Sequence, residues 1–164
     1  MLVFTIGNCA FLVRQNTLMM VERGNTLNAV SVLRVLSVAV VSVWGKGNYR
    51  TVITLTLTAG IRGILGTGVY TEVRPLEDSR TYFCNCYGTV DLPAGGQKQR
   101  SQSDHHQSFW ADTAAPTGPV IRSATLIDHT GEELEFLAGL IQVRTHWQVA
   151  GRKGPGDCSG TLSF

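Results

Sequence analysis

Apolar and polar positions alternate along much of the first two thirds of the chain, and the period is two. Short apolar runs at 3–6 and 10–13 are separated by Gly7-Asn8, and 18–22 follows before a turn at Gly24-Asn25. Two longer runs, 29–36 and 38–44, end in the glycine-rich turn Gly45-Lys-Gly-Asn48. In Arg50–Thr58, Ile53, Leu55 and Leu57 share one face while Val52, Thr54, Thr56 and Thr58 share the other, the pattern of a half-buried strand. Val69–Arg74 and Arg80–Leu92 read as two more strands around the turn-forming set Pro75-Leu-Glu-Asp-Ser79. Residues 93–104, polar and glycine-containing, read as a mobile loop, "HHQSFW" as a short strand, and 111–119, with Pro116 and Pro119, as a connector.

The period changes only near the C-terminus. Thr130-Gly-Glu-Glu133 fits a capping box, and Leu134, Leu137, Leu140 and Ile141 fall on one helical face, so a helix is expected over 131–142. Val149–Phe164 is glycine-rich and basic and reads as irregular. The expected architecture is therefore mainly β, with eight to ten strands and one C-terminal helix. It divides into a β-domain at 1–92, a loop and connector at 93–128, and a helix with its tail at 129–164.

Composition narrows the function. A chain of 164 residues is long enough for one sizeable core. Net charge is only +2, and no run of Lys and Arg is interleaved with aromatics, so nucleic acid is not an expected partner. The most apolar run, Ala29–Trp44, carries Arg34 and is too short for a membrane-spanning helix. The N-terminal MLVFTIGNCAFLV lacks a basic region and a small-residue cleavage site, so it does not read as a signal peptide and is expected to be a first strand, or a mature or truncated start. Gly60-Ile-Arg-Gly-Ile-Leu-Gly-Thr-Gly68 has no Gly-Lys-Ser/Thr and leads into a strand, which argues for a tight backbone crossing over a phosphate loop.

The chemistry lies in "TYFCNCYG", residues 81–88. Cys84 and Cys86 have the same strand parity and point to one face. Two residues of strand span roughly 6.6 Å, near the upper limit for a disulfide, so they are poorly placed to bond each other. Buried free thiols acting as small hydrophobes are one reading. The other is a shared ion, with imidazoles from His105, His106 and His129, since thiolate plus imidazole suits zinc, iron or copper. Adjacent strand residues face opposite ways, so one of His105 and His106 is expected to serve. Ser103-Asp104-His105 lacks a nucleophile elbow and does not read as a triad. A mid-strand cysteine also lacks the helix N-terminus or basic setting that activates a thiol.

Several of these segments resemble FecR-type domains, the periplasmic regulators of iron-citrate uptake and their relatives. The resemblance runs through Gly60-Ile-Arg-Gly63, Gly66-Thr-Gly-Val-Tyr-Thr-Glu-Val73 and Thr81–Leu92. A subgroup with a Cys-x-Cys-Tyr-Gly strand is matched by Cys84-Asn-Cys-Tyr-Gly88, His105-His106 and His129-Thr-Gly-Glu-Glu-Leu134. The resemblance implies a β-sandwich or β-roll, a periplasmic or envelope location, a protein partner and a metal or iron cofactor. The function expected is a non-catalytic interaction or sensing module. A redox or metalloenzyme domain built on the Cys/His cluster, and a structural subunit of a larger assembly, are the alternatives.

Overall fold

The computed structural model describes residues 1–24, 26, 29–94, 97–104, 106–114 and 118–151. Eleven strands appear among them. They are β1 (Leu2–Ile6), β2 (Cys9–Val13), β3 (Leu18–Arg23), β4 (Val30–Trp44), β5 (Arg50–Ile53), β6 (Thr58–Ile61), β7 (Thr67–Arg74), β8 (Arg80–Ala94), β9 (Gln97–Ser103), β10 (Gln107–Ala114) and β11 (Gly118–Ala124). Helix α1 (Gly131–Leu140) and the single turn α2 (His146–Val149) follow. The fold is mainly β, as the periodicity predicts.

Five strands close on themselves. β4 pairs with β5 in parallel, β5 with β6, β6 with β8, β8 with β7, and β7 returns to β4, all antiparallel after the first. Two long strands make the closure possible by serving two sheets each. The first half of β4 pairs with β3 and β5, its second half with β2 and β7. The first half of β8 pairs with β7 and β10, its second half with β9 and β6. Each bends where the partners change, at Val38 (φ 66°) and Gly88 (φ 102°). Strands that switch sheets through such bends form the corners of a barrel.

Both faces of the central strands are covered. Phe11, Val40, Trp44, Val69, Phe83 and Val90 belong to one buried cluster inside the ring. Leu12, Val41, Tyr70, Cys84, Leu134 and Trp147 belong to a second, under α1 and α2. This is why β2 and the second half of β4 read as unbroken apolar runs instead of alternating ones.

Four sequence expectations change. The runs 29–36 and 38–44 are one strand with a corner at Val38. The clean alternation at 50–58 is broken by a turn, in which Thr54 N donates to Leu57 O and Thr54 Oγ1 accepts from the Thr56 and Leu57 amides. Threonine competes for its own backbone in this way, and Leu55 is left exposed. The segment 93–104, expected as a loop, holds the end of β8 and β9, whose ladder runs from Gly88↔Ser103 to Ala94↔Gln97. The stretch expected as a connector after "HHQSFW" holds the rest of β10, and β11 pairs with it. The boundary drawn at 92 thus falls inside a strand. The glycine-rich segment is a tight crossing, as expected: a Cβ on Gly63 would lie 1.6 Å from Gly47 O.

Helix α1 begins as its sequence dictates. Thr130 Oγ1 accepts from Glu133 N, and Glu133 Oε1 accepts from Thr130 N, completing the box. Thr130→Ala should therefore cost about 1 kcal/mol. That corresponds to a fall of about 2–4 °C in melting temperature, which Thr130→Ser should largely avoid in a thermal scan.

Candidate metal centre

Three chain segments meet on the outer face of β8. Cys84 lies opposite Tyr70 on β7 and Ser108 on β10. The next residues carry a bulge: Asn85 pairs with Val69 and Tyr87 with Gly68, leaving Cys86 as the extra residue. A bulge adds twist and re-aims side chains. Tyr82, Cys84, Cys86 and Tyr87 consequently all join the cluster under the helices, while Val90 and Leu92 turn into the barrel. Asn85, on the barrel side, fixes the bulge by donating to Gly88 O and to Ser101.

His106 arrives at the start of β10. Its backbone sits at φ 45°, and its N–H donates to Cys86 O at 2.8 Å. His129 arrives one residue before the cap of α1. Its ring stacks on Tyr70, with centroids 4.3 Å apart and planes at 10°. The approach to His129 is held by Tyr82, whose hydroxyl donates to Thr125 O and accepts from Ile127 N. Nδ1 of His129 donates to Ile127 O at 2.6 Å, which leaves Nε2 with its lone pair facing the cysteines. A backbone carbonyl on the far nitrogen is the usual device for orienting a metal-binding imidazole.

The four donor atoms of Cys84, Cys86, His106 and His129 all lie within 4.8 Å of one another. The sulfurs are 3.5 Å apart, far beyond the S–S bond length of about 2.05 Å, so the two cysteines are not bonded to each other. Cys84 Sγ is 3.4 Å from His106 Nδ1, Cys86 Sγ is 3.5 Å from His129 Nε2, and the two nitrogens are 3.2 Å apart. A tetrahedron with metal–sulfur bonds of 2.3 Å and metal–nitrogen bonds of about 2.05 Å has edges of about 3.8 Å (S–S), 3.5 Å (S–N) and 3.4 Å (N–N). These four of the six edges agree to within about 0.3 Å, and the other two are no longer than 4.8 Å.

Burial raises the Cys84 thiol's affinity for its proton. The hydrogen bond from Cys86 and the neighbouring His129 and His106 rings outweigh burial and hold it well below the usual thiol range. Thiolate is the form that ligates metal. Both cysteines and His129 are buried, and Trp147 stacks over the half-buried His106 with centroids 5.7 Å apart.

Four of the five sequence-predicted residues are thus brought together, and His105 lies outside the described residues. His146 is elsewhere, with Nδ1 3.6 Å from Asp104 and its ring against Tyr87. Sequence reasoning missed Tyr70 and Trp147, which clamp the two imidazoles. Only a pairing register could have placed Tyr70 opposite Cys84.

A charged pair ties the helix start to the barrel beside this site. Arg14 Nη1 and Nη2 reach Glu133 Oε2 and Oε1 at 2.5 and 2.9 Å, and Nη2 also donates to Asp128 O. Burial raises the Glu133 pKa, but the Arg14 guanidinium and the Thr130 amide lower it more, and the net value is depressed. The stability this carries is present above the unfolded value of about 4.3 and is lost as pH falls through the depressed folded value. Glu133→Gln keeps an acceptor for Thr130 N and removes the charge. In urea titrations from pH 7 to pH 3, the wild type should lead this variant at neutral pH and lose that lead below about pH 4.

Comparison with known proteins places the architecture. No family model and no curated protein matches the chain. Two crystal structures of a "putative anti-sigma factor" from Parabacteroides distasonis superpose on it, each with a TM-score of 0.50 and 10% sequence identity. In both the match covers 74% of this chain and 54% of the other, so the chain spans about half of that protein's length. At this identity the likeness is one of fold.

Proposed function

We propose that the chain is a non-catalytic, FecR-like module of the cell envelope in which Cys84, Cys86, His106 and His129 hold one zinc ion. The ion would staple the segment carrying α1 and α2 to the barrel. The observation that carries this reading is the set of four donors, His106 half-buried and the other three buried, four of whose six separations match the edges of an S₂N₂ tetrahedron. Tetrahedral S₂N₂ donor sets favour zinc. A two-iron cluster would set the cysteine pair apart from the histidine pair, whereas here each sulfur touches one imidazole. Four protein donors fill a tetrahedron and leave no position for substrate, which favours a structural ion over a redox or hydrolytic one. The Cys84-Asn-Cys86, His106 and His129 motifs, which resemble a subgroup of FecR-type domains, supply the donors of this site. The anti-sigma factor likeness in fold supports a regulatory module that works through a protein partner.

The test is metal analysis of protein purified without chelator or affinity metal, followed by exchange with cobalt(II). One zinc per chain is expected, together with the intense visible bands of tetrahedral cobalt and a thiolate charge-transfer band. A colourless, metal-free protein would remove the metal reading. A chromophore and stoichiometric iron in the native protein would replace zinc with a redox centre.

A further inference from the structure

A cleft of about 770 Å³ opens on the far side of His129 from the cysteines. Tyr70, Glu72 and Arg74 at the end of β7 form one wall, and Asp128 and Glu133 at the start of α1 form the other. Its rim is the short helical turn Pro75–Glu77.

Two properties of the cleft point to an occupant. The first is charge. Four carboxyl groups line it, Glu72, Glu77, Asp128 and Glu133, against two guanidinium groups. Arg14 is consumed by Glu133 and Asp128 O. Arg74 gives its Nε to Glu72 and reaches Asp128 only at 3.8 Å. Arg74 thus serves three carboxyl groups, Glu72 at 2.8 Å, Glu77 at 3.5 Å and Asp128 at 3.8 Å, with Arg80 also reaching Glu77 at 3.8 Å. The second is apolar surface. Leu76 stands fully exposed on the rim, and Val38, Ala39 and Val73 line the interior. Leu76 and this lining together make an apolar surface rimmed by charged groups, the composition of an interaction site.

We infer that this cleft is the docking site for a segment of a partner protein carrying one Arg or Lys flanked by apolar residues. The basic group would meet Asp128, Glu72 and Glu77, and the flanking residues would cover Leu76 and enter beside Val73. The inference builds on the module reading above and names the kind of partner. One wall is formed by the residues that lead into α1, so metal held by His129 would also fix the cleft.

The test uses the purified full chain, labelled for amide NMR, with its zinc content measured in the same sample. The probe is the capped tripeptide Ac-Leu-Arg-Leu-NH2, compared with its citrulline and glutamate counterparts and with arginine amide alone. Saturable shifts are expected at Val73, Leu76 and Thr130 with the arginine tripeptide, and affinity should fall about tenfold for the citrulline form, the loss of one charge-assisted contact. Glu77→Lys and Leu76→Ser should each weaken binding severalfold while leaving the melting temperature unchanged. Glu77 makes only surface ion pairs, at 3.5 Å to Arg74 and 3.8 Å to Arg80, and such pairs contribute little to folding. Three results would overturn the inference: no saturable shift at these amides, equal binding of the glutamate peptide, or binding of arginine amide as tight as that of the tripeptide. A zinc-loaded chain that ignores the peptide rejects the cleft and spares the metal centre. A metal-free chain that binds it does the reverse.

Discussion

Replacing Cys84 and Cys86 together with serine should yield a chain that holds no metal and melts at least about 10 °C below the wild type. The size follows from what the ion would connect. His129 precedes α1, His106 precedes β10, and the cysteines sit mid-strand in β8, so one ion would cross-link three distant stretches of chain. Metal binding to a site that the unfolded chain lacks is folding free energy, worth of the order of 10 kcal/mol in small zinc modules. Here the helices also bury Leu134, Leu137 and Trp147 without help from any metal. The loss should therefore be several kcal/mol and not global unfolding. For a chain of this length each kcal/mol moves the midpoint by about 2–4 °C. A chelator supplies the control: it should lower the wild-type midpoint and leave the double variant unmoved. If both proteins melt together, with and without chelator, the two cysteines are core residues only.

The sequence announced the chemistry of this site better than its neighbourhood. Equal strand parity places Cys84 and Cys86 on one face, and the structure keeps them there without a disulfide between them. The bulge at Cys86 has no signature beyond Gly88, two residues on, and it alone explains why Tyr87 faces the same cluster while Val90 does not. The helix was legible because capping is local: Thr130 and Glu133 need only each other. The 97–103 segment was not, because β9 forms no apolar face. Gln99, Arg100 and Gln102 stay exposed, and the strand exists through its backbone ladder with β8. At 54–57 the failure ran the other way. An alternating pattern was overridden by hydroxyls, with Thr54 and Thr56 both 2.6 Å from Thr81. That contact joins residues more than twenty apart in the chain, which periodicity cannot register.

Gly88→Ala should destabilise the protein by about 3 kcal/mol or more, and should weaken the metal centre with it. Gly88 lies at the corner where β8 leaves one sheet for the other, at φ 102°, a backbone conformation closed to residues with a Cβ. Strain of this kind costs about 1–3 kcal/mol by itself. Space is also lacking. A Cβ there would lie 2.6 Å from Thr67 Oγ1, 2.8 Å from Gly66 O and 2.9 Å from Thr67 Cα. Two of those atoms are backbone at and just before the start of β7, the strand paired with the bulge, so relief would shift β7 against β8 and move Cys86, two residues away. The expected result is a melting temperature lower by roughly 6–12 °C and a measurably faster transfer of zinc to a competing chelator. Gly139→Ala is the matched control. Gly139 lies exposed in α1 with no heavy atom within 4 Å of a new Cβ. Alanine there should raise stability by up to about 0.5 kcal/mol, because glycine in the last turn of a helix still carries an entropic cost and here has no compensating contact. Opposite signs from the same chemical change would trace the Gly88 effect to the corner. A Gly88→Ala protein that melts with the wild type would show that β8 reaches both sheets without needing that bend.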